Sequence, residues 1–213
     1  METRTLKSKI GIYMLLSVLA VLVVIPFGWM LLASVKTSNE VFSIPMKLFP
    51  KEFQWVNYQT IWDKIPLLVF FKNTFKIAVC TTLLQVLTSC FAAYGFSKVE
   101  FKGRDFLFLV SVTTFAVPWQ AYMVPQFALI SRMGLTDSHL GLILMQAFSG
   151  FGVFLIRQFM IGVPNELLEA ARIDGLSEYG IFAKIALPLV KPGIATLVIF
   201  TFVNIWNDFY GTI

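Results

Sequence analysis

The chain has 213 residues, of which 57% are hydrophobic and 14% are charged, with a formal net charge of +5. An average soluble domain has about 25% charged residues, so this composition excludes most soluble folds, and 22 Phe and 5 Trp exclude a disordered chain. The charged residues cluster between long uncharged runs, which is typical of a protein that crosses a membrane several times.

The uncharged runs predict five membrane-spanning helices. A helix needs about 20 apolar residues to cross the hydrocarbon core, and backbone groups in lipid must pair within their own segment. The predicted spans cover about 10–35, 75–97, 106–130, 138–160 and 192–213. We therefore predict an all-α fold, a polytopic transmembrane helical bundle that forms a single domain over 1–213.

The second and third predicted spans have features of helices inside a bundle. The second span contains small residues such as Ala78, Ser89 and Ala93, which let helices approach closely in lipid, so we expect a central helix. The third span contains Pro118 and Pro125. Because proline removes a backbone hydrogen bond and kinks a helix, we expect this span to line a cavity.

Basic residues set the expected orientation. The short segment 98–104 carries three Lys or Arg residues, and the short segment 131–137 carries one. Short cytoplasmic loops are enriched in Lys and Arg, so we expect a cytoplasmic N-terminus. The loop at 36–66 is then extracytoplasmic, and its six aromatic residues and three prolines predict an ordered structure that lies at the membrane interface or caps the outer mouth. The loop at 161–191 is then cytoplasmic.

Motifs for catalysis, metal binding and nucleotide binding are absent from the sequence. It contains no GxxxxGK[ST] motif and only one histidine, His139. Cys80 and Cys90 lie about 15 Å apart on one predicted helix, too far for a disulfide. We therefore expect no metal site and no enzyme activity. The positive charge fits cytoplasmic loops on an anionic leaflet, and we expect no nucleic-acid partner.

The cytoplasmic loop has the signals of a helical hairpin. Pro164 is suited to open a helix, and Glu166 would lie near its N-terminus, where negative charge is favoured. Gly175 is placed to end this helix in a left-handed conformation. Ser177 can cap a second helix, which we expect Pro188 to close. An ordered, half-apolar hairpin of this kind indicates a protein partner.

One set of residues in this loop has the spacing EAA-x3-G-x9-I-x-LP. The set consists of Glu169, Ala170, Ala171, Gly175, Ile185, Leu187 and Pro188. The spacing resembles the cytoplasmic signature loop of binding-protein-dependent ABC importer permeases. Flanking motifs agree with the maltose-type carbohydrate-uptake branch of that family, and they include Ala92-Ala93-Tyr94, Phe101-Lys102-Gly103-Arg104, Pro164-Asn165-Glu166 and Trp206-Asn207-Asp208.

The resemblance implies a type I ABC importer permease in a bacterial or archaeal plasma membrane. Its implied partners are two P-loop ATPase subunits, a second permease chain that makes a heterodimer, an extracytoplasmic sugar-binding protein and membrane lipid. ATP and Mg would be bound by the ATPase, and this chain would hold no cofactor. The family usually has six spans, so we expect these five to be a truncated product, a fragment or an incompletely represented sequence.

The resemblance also implies that the loop couples the permease to the ATPase. The residues expected to carry this coupling are Glu169, Ala170, Ala171, Asp174, Gly175, Ile185, Leu187 and Pro188. In this interpretation Gly175 supplies the tight turn, Ala171 lets the ATPase approach closely, and Glu169 caps or salt-links the ATPase surface. Movement of the loop would rock the spans between inward-open and outward-open states.

The expected solute is a carbohydrate, recognised by polar groups and aromatic faces. The pathway candidates are Asn73, Trp119, Gln120, Tyr122, Asn204 and Asn207. Further buried polar candidates are Gln85, Gln126 and Gln146, and each candidate has an alternative role in hydrogen bonds between helices. An importer for another polar solute, such as a glycerol phosphate ester or a polyol, is the first alternative. A membrane-embedded enzyme and a secondary transporter are the alternatives from other classes.

Overall fold

The computed structural model describes residues 6–208, and every regular element in that range is helical. The chain divides between Leu68 and Val69 into two compact units, where the sequence predicts one domain. Helices α1 to α3 belong to the first unit. Their bounds are Leu6–Ser34 (α1), Ser38–Val41 (α2) and Val56–Lys64 (α3). Helix α1 is long and apolar, and no residue in its best apolar window within Lys9–Ser34 is buried.

The loop at 36–66 folds onto the C-terminal end of α1. The Asn57 side chain donates hydrogen bonds to the carbonyls of Ser34 and Lys36, both at 3.0 Å. Lys36 donates to the Lys47 carbonyl at 2.6 Å, and its ammonium lies 4.3 Å from the centre of the Trp29 ring. These contacts confirm the prediction that this aromatic loop is ordered.

The second unit begins within α4 and contains the remaining helices. Their bounds are Leu67–Lys98 (α4), Arg104–Ala116 (α5), Trp119–Arg132 (α6), His139–Met145 (α7), Gly150–Ile161 (α8), Asn165–Ile173 (α9), Glu178–Ile181 (α10), Leu187–Leu189 (α11) and Lys191–Trp206 (α12). A π-helical turn, Phe182–Ala186, joins α10 to α11. The helices α10 and α11 therefore form one continuous helical segment, Glu178–Leu189.

By length and composition, two described helices, α1 and α4, can cross a membrane alone. Three further pairs reach that length only together: α5 with α6, α7 with α8, and the segment Glu178–Leu189 with α12, bent by 101°, 53° and 78°. If each bent pair is one span, the described residues contain five candidate membrane spans. Residues 209–213 of the fifth predicted span lie outside the described residues.

The third and fourth predicted spans differ from straight helices for local reasons. Val117 and Pro118 are extended, with ψ of 119° and 134°, and Pro118 directly precedes α6. The predicted kink at Pro118 is therefore a full break. In the fourth span α7 ends at Met145, and Ser149 starts α8 by accepting a hydrogen bond from the Gly152 N–H.

Small residues bring the helices of the second unit together. Ala78, Ser89 and Ala93 of α4 are fully buried, which confirms the prediction of a central helix. A Cβ atom on Gly150 would lie 2.6 Å from the Ser111 carbonyl of α5, and one on Gly193 would lie 2.5 Å from the Phe159 ring of α8. Both glycines therefore permit close helix contacts that alanine would not.

Candidate functional site

The EAA loop, residues 161–191, is a helical hairpin closed by a glycine turn. Gly175 has φ of +84°, its N–H donates to the Arg172 carbonyl, and the Leu176 N–H donates to the Ala171 carbonyl, both at 3.0 Å. This pair of bonds is a Schellman motif, in which a left-handed residue satisfies the last carbonyls of α9. The Ser177 side chain then accepts from the Gly180 N–H and caps α10. The predicted turn and cap are confirmed.

The second helix of the hairpin does not end at Pro188, which is a correction to the sequence-based expectation. Helical structure continues through Pro188 to Leu189 and is preceded by the π-helical turn Phe182–Ala186. In a regular α-helix the proline ring clashes with the carbonyl four residues earlier and leaves it unpaired. A wider turn directly before Pro188 relieves that conflict without ending the helix.

The EAA motif residues divide between the interior and the surface. Ala171 is 5% exposed and packs in a core cluster with Leu168, Ile181 and Phe182. Its small side chain therefore lets α9 approach the chain's own helices, which corrects the interpretation that Ala171 admits the ATPase. Ile185 and Leu187 are half-buried against the same cluster. The exposed motif residues are Glu169, Ala170, Asp174, Gly175 and Pro188.

The opposite face of α9 is apolar and exposed. Leu167, Ala170 and Ile173 recur every third residue, and Ile173 is 87% exposed. Tyr179 of α10 is 79% exposed. We call the exposed residues Leu167, Glu169, Ala170, Ile173 and Tyr179 the loop surface. Ile173 and Tyr179 were not predicted to be exposed, although Ile173 lies three positions from Ala170 and therefore beside it on the helix surface.

A carboxylate ties the two helices of the hairpin to α4. Glu178 accepts a hydrogen bond of 2.6 Å from Arg172 Nε and one of 2.9 Å from the Tyr94 hydroxyl. The Arg172 hydrogen bond, followed by that of Tyr94, holds the pKa of Glu178 below its usual value. Lys98, at the end of α4, donates to the Val163 carbonyl at 2.6 Å and so holds the entry to α9. These hydrogen bonds therefore join both helices of the hairpin to α4.

Replacing Glu178 with Gln is expected to lower the melting temperature by about 1–2 °C near neutral pH, because an exposed ion pair contributes little. The pKa of Glu178 is lowered by folding, so its contribution is present above the unfolded-state value of about 4.3 and is lost as the pH falls through the folded-state value. The measurement is thermal unfolding of wild type and variant across this range. Glu100→Gln, at an exposed carboxylate elsewhere, is the control. A difference in melting temperature that persists below the folded-state pKa would show that the charged carboxylate of Glu178 is not its source.

A cavity lies between the two helix breaks, and half of its lining residues are aromatic. Its volume is about 560 Å³, and its lining consists of Thr114, Phe115, Val117, Trp119, Tyr122, Met145, Phe148, Ser149, Gly150 and Phe151. Five of these ten residues are aromatic and none is charged. Pockets of about 300–1,000 Å³ that are largely apolar are typical of sites for small organic ligands.

The structure brings together only two of the six predicted pathway residues. Trp119 and Tyr122 line the cavity, whereas their neighbour Gln120 is exposed and is not part of the lining. Asn204 is exposed, and Asn207 donates to the Val203 carbonyl of its own helix at 2.8 Å. Asn73 is half-buried and also lies outside the lining.

Three half-buried glutamines act between helices. Gln85, Gln126 and Gln146 each donate from the side-chain amide to a group on another element, at 2.6, 2.8 and 2.9 Å respectively. These contacts support the interhelical role of the three glutamines over a role in the solute pathway.

The helical fold and the EAA hairpin define a class of protein, the membrane-spanning permease subunit of a binding-protein-dependent ABC transporter. Residues 85–212 match the family described as "Binding-protein-dependent transport system inner membrane component". The chain belongs to this family. The all-α membrane bundle and the family resemblance predicted from the sequence are therefore confirmed.

Relatives of known name are similar along most of the chain. The arabinooligosaccharides transport system permease protein AraQ of Bacillus subtilis is 33% identical over 94% of this chain and 73% of its own length. The lactose transport system permease protein LacG of Rhizobium radiobacter is 32% identical over 92% of this chain and 71% of its own length. The sn-glycerol-3-phosphate transport system permease protein UgpE of Pectobacterium atrosepticum is 32% identical over 93% of this chain and 72% of its own length.

A solved structure shares the fold. A chain from the crystal structure of a bacterial ABC transporter involved in the import of the acidic polysaccharide alginate superimposes with a TM-score of 0.84. The match covers 98% of this chain and 75% of that one, at 24% identity. As a member of this family the chain is a non-enzymatic membrane subunit, and ATP is hydrolysed in a separate subunit. It works in a complex with an ATPase and a substrate-binding protein.

Proposed function

We propose that this permease imports a carbohydrate by alternating access. The observation that carries this proposal is the cavity of about 560 Å³ with five aromatic residues and no charged one in its lining. Aromatic rings offer flat apolar faces on which the C–H face of a sugar ring packs, and an uncharged lining favours a neutral solute. The names of AraQ and LacG, a permease for arabinooligosaccharides and one for lactose, support the same solute class.

A glycerol phosphate ester is the second candidate, and a polyol is a third. The similarity to UgpE, named for sn-glycerol-3-phosphate transport, favours the phosphate ester. A phosphate dianion is normally held by Arg, Lys or backbone N–H groups. Because the cavity lining offers no cationic side chain, it favours the carbohydrate over the phosphate ester.

The proposal includes the arrangement of the complex. Two P-loop ATPase subunits bind ATP and Mg, and each contacts one permease chain through an EAA loop. The second permease chain is a different polypeptide, and an extracytoplasmic binding protein delivers the solute. The N-terminus and the EAA loop lie in the cytoplasm of a bacterial or archaeal cell. The exposed apolar loop surface, with Ile173 87% and Tyr179 79% exposed, supports the ATPase contact.

The first test is recovery of the complex from its native membrane in mild detergent, with the subunits identified by mass spectrometry. A P-loop ATPase and a second permease in the complex are the expected partners. The complex is then reconstituted with its binding protein, and ATP-dependent uptake of arabinooligosaccharides, lactose, glycerol and sn-glycerol-3-phosphate is compared. Uptake of sn-glycerol-3-phosphate alone would refute the carbohydrate assignment. Recovery of the chain without an ATPase would refute the proposed coupling.

Substituting Ala for Trp119 is expected to raise the KM for solute uptake about three- to tenfold, because one aromatic contact contributes about 0.5–1.5 kcal/mol. Gln120→Ala is the matched control, since Gln120 is the next residue along the chain but lies outside the cavity lining. The measurement is the initial rate of uptake against solute concentration in proteoliposomes. An equal KM for wild type and Trp119→Ala would exclude Trp119 from the solute pathway.

A further inference from the structure

The break between α7 and α8 is stabilised by side chains from other helices. Carbonyl groups after the end of a helix have no intrahelical partner, and at bilayer depth an unpaired carbonyl is costly. Three consecutive carbonyls at this break each accept a hydrogen bond. The bonds are Gln126 Nε2 to the Met145 carbonyl at 2.8 Å, Gln85 Nε2 to the Gln146 carbonyl at 2.6 Å, and Thr88 Oγ1 to the Ala147 carbonyl at 3.0 Å.

Gln85 also connects this break to α12. Its Oε1 atom accepts a hydrogen bond of 3.3 Å from Oγ1 of Thr201, a buried residue of α12. A second connection runs from Gln146 Nε2 to Asp208 Oδ2, at 2.9 Å, just beyond the end of α12. Gln85 lies in the middle of α4. Its side-chain amide therefore bonds to both the break and α12.

Helix α8 joins the break to the EAA loop as a short rod. Its 12 residues span about 18 Å, and Val163 and Pro164 lead directly from its end into α9. Arg157 of α8 donates to the Phe96 carbonyl at 3.1 Å, and Gly150 lies close to the Ser111 carbonyl of α5. Because α8 is joined to α9 at one end and to the break at the other, a movement of α9 would be transmitted along α8 to the break.

We propose that Gln85 is a positioning residue for solute transport: it keeps the bend at the α7–α8 break fixed and makes α12 follow the movement of α8. This inference rests on the proposed ATP-driven movement of the EAA loop. A break without these bonds would absorb that movement by bending at 146–149. With the three carbonyls held by α4 and α6, and with Gln85 bonded to Thr201, the movement reaches both α12 and the break, whose residues Phe148 and Ser149 line the cavity.

The test uses the complete transporter with its binding protein in proteoliposomes, and it measures solute imported per ATP hydrolysed. Gln85→Leu removes both bonds and is expected to lower this ratio at least fivefold, with ATP hydrolysis retained. Thr201→Val removes the hydroxyl and is expected to lower the ratio at least twofold. Thr201→Ser keeps the hydroxyl and serves as the matched control, with the wild-type ratio expected.

Two results would overturn the inference. In the first, Gln85→Leu and Thr201→Val import and hydrolyse ATP in the wild-type ratio. In the second, solute import and ATP hydrolysis fall by the same factor in these variants, which would mean that Gln85 only stabilises the fold. If the Gln85→Leu complex does not assemble, the inference is tested by the import-to-hydrolysis ratio of Thr201→Val against that of Thr201→Ser, and equal ratios overturn it. Failure of the wild-type complex to import any tested solute would refute the proposed function instead, so the two failures are distinguishable.

Discussion

Substituting Val for Gly175 is expected to reduce ATP-driven uptake at least tenfold while the permease still folds. Gly175 has φ of +84°, and a Cβ atom built there has no neighbour within 4 Å, so the effect comes from the backbone alone. A β-branched residue in the left-handed region costs about 1–2 kcal/mol or more. The backbone escapes that strain by opening the Schellman turn, which displaces α9 and the loop surface relative to α10.

Two further variants at the same position separate backbone strain from side-chain effects. Asn tolerates the left-handed region, so Gly175→Asn is expected to retain most of the uptake that Gly175→Val loses. Gly175→Asp matches Asn in size and adds a negative charge at an exposed position. Uptake and ATP hydrolysis are measured for all three reconstituted complexes. Equal uptake by the Val variant and wild type would contradict a role for this turn in coupling.

The sequence predicted the EAA hairpin well because its signals are local. The left-handed Gly175 and the Ser177 cap depend on residues within a few positions, and both are found in the structure. The environment of Ala171 is different, because it depends on Ile181 and Phe182 folding back onto α9. The EAA spacing alone does not separate a small residue that packs inside the chain from one that faces a partner.

Pro118 marked the break in the third span, but the break in the fourth span was missed because hydropathy reports length and composition and not where helical hydrogen bonding stops. The stretch 146–149 lies within the uncharged run 138–156, so no change in composition marks the break. The groups that stabilise its break come from far along the chain, since Gln85 and Gln146 are separated by 61 positions and Gln85 and Thr201 by 116. Such pairs are determined by helix packing, and one sequence does not reveal them.

Gly152 of α8 faces Ser89 of α4 at a close helix contact. Gly152→Ala is expected to destabilise the permease by about 1–3 kcal/mol, because the added methyl group overpacks a helix contact. A Cβ atom on Gly152 would overlap Ser89 Oγ and lie 3.2 Å from Leu197 Cδ1. Both neighbours are buried, so neither can move into solvent. The measurements are the yield of assembled complex and its thermal midpoint in detergent.

A second substitution tests whether that overlap is the cause. Ser89 Oγ is buried and has no hydrogen-bond partner among residues 6–208, so Ser89→Ala alone is expected to change stability little. The same substitution removes the atom that a Gly152 methyl group would meet. Adding Ser89→Ala to Gly152→Ala is therefore expected to restore most of the lost stability, with a residual loss from the Leu197 contact. Changes in stability add when two sites are independent and do not add when the residues touch. If the stability changes of Gly152→Ala and Ser89→Ala simply add in the double variant, the contact with Ser89 Oγ is not the cause of the loss.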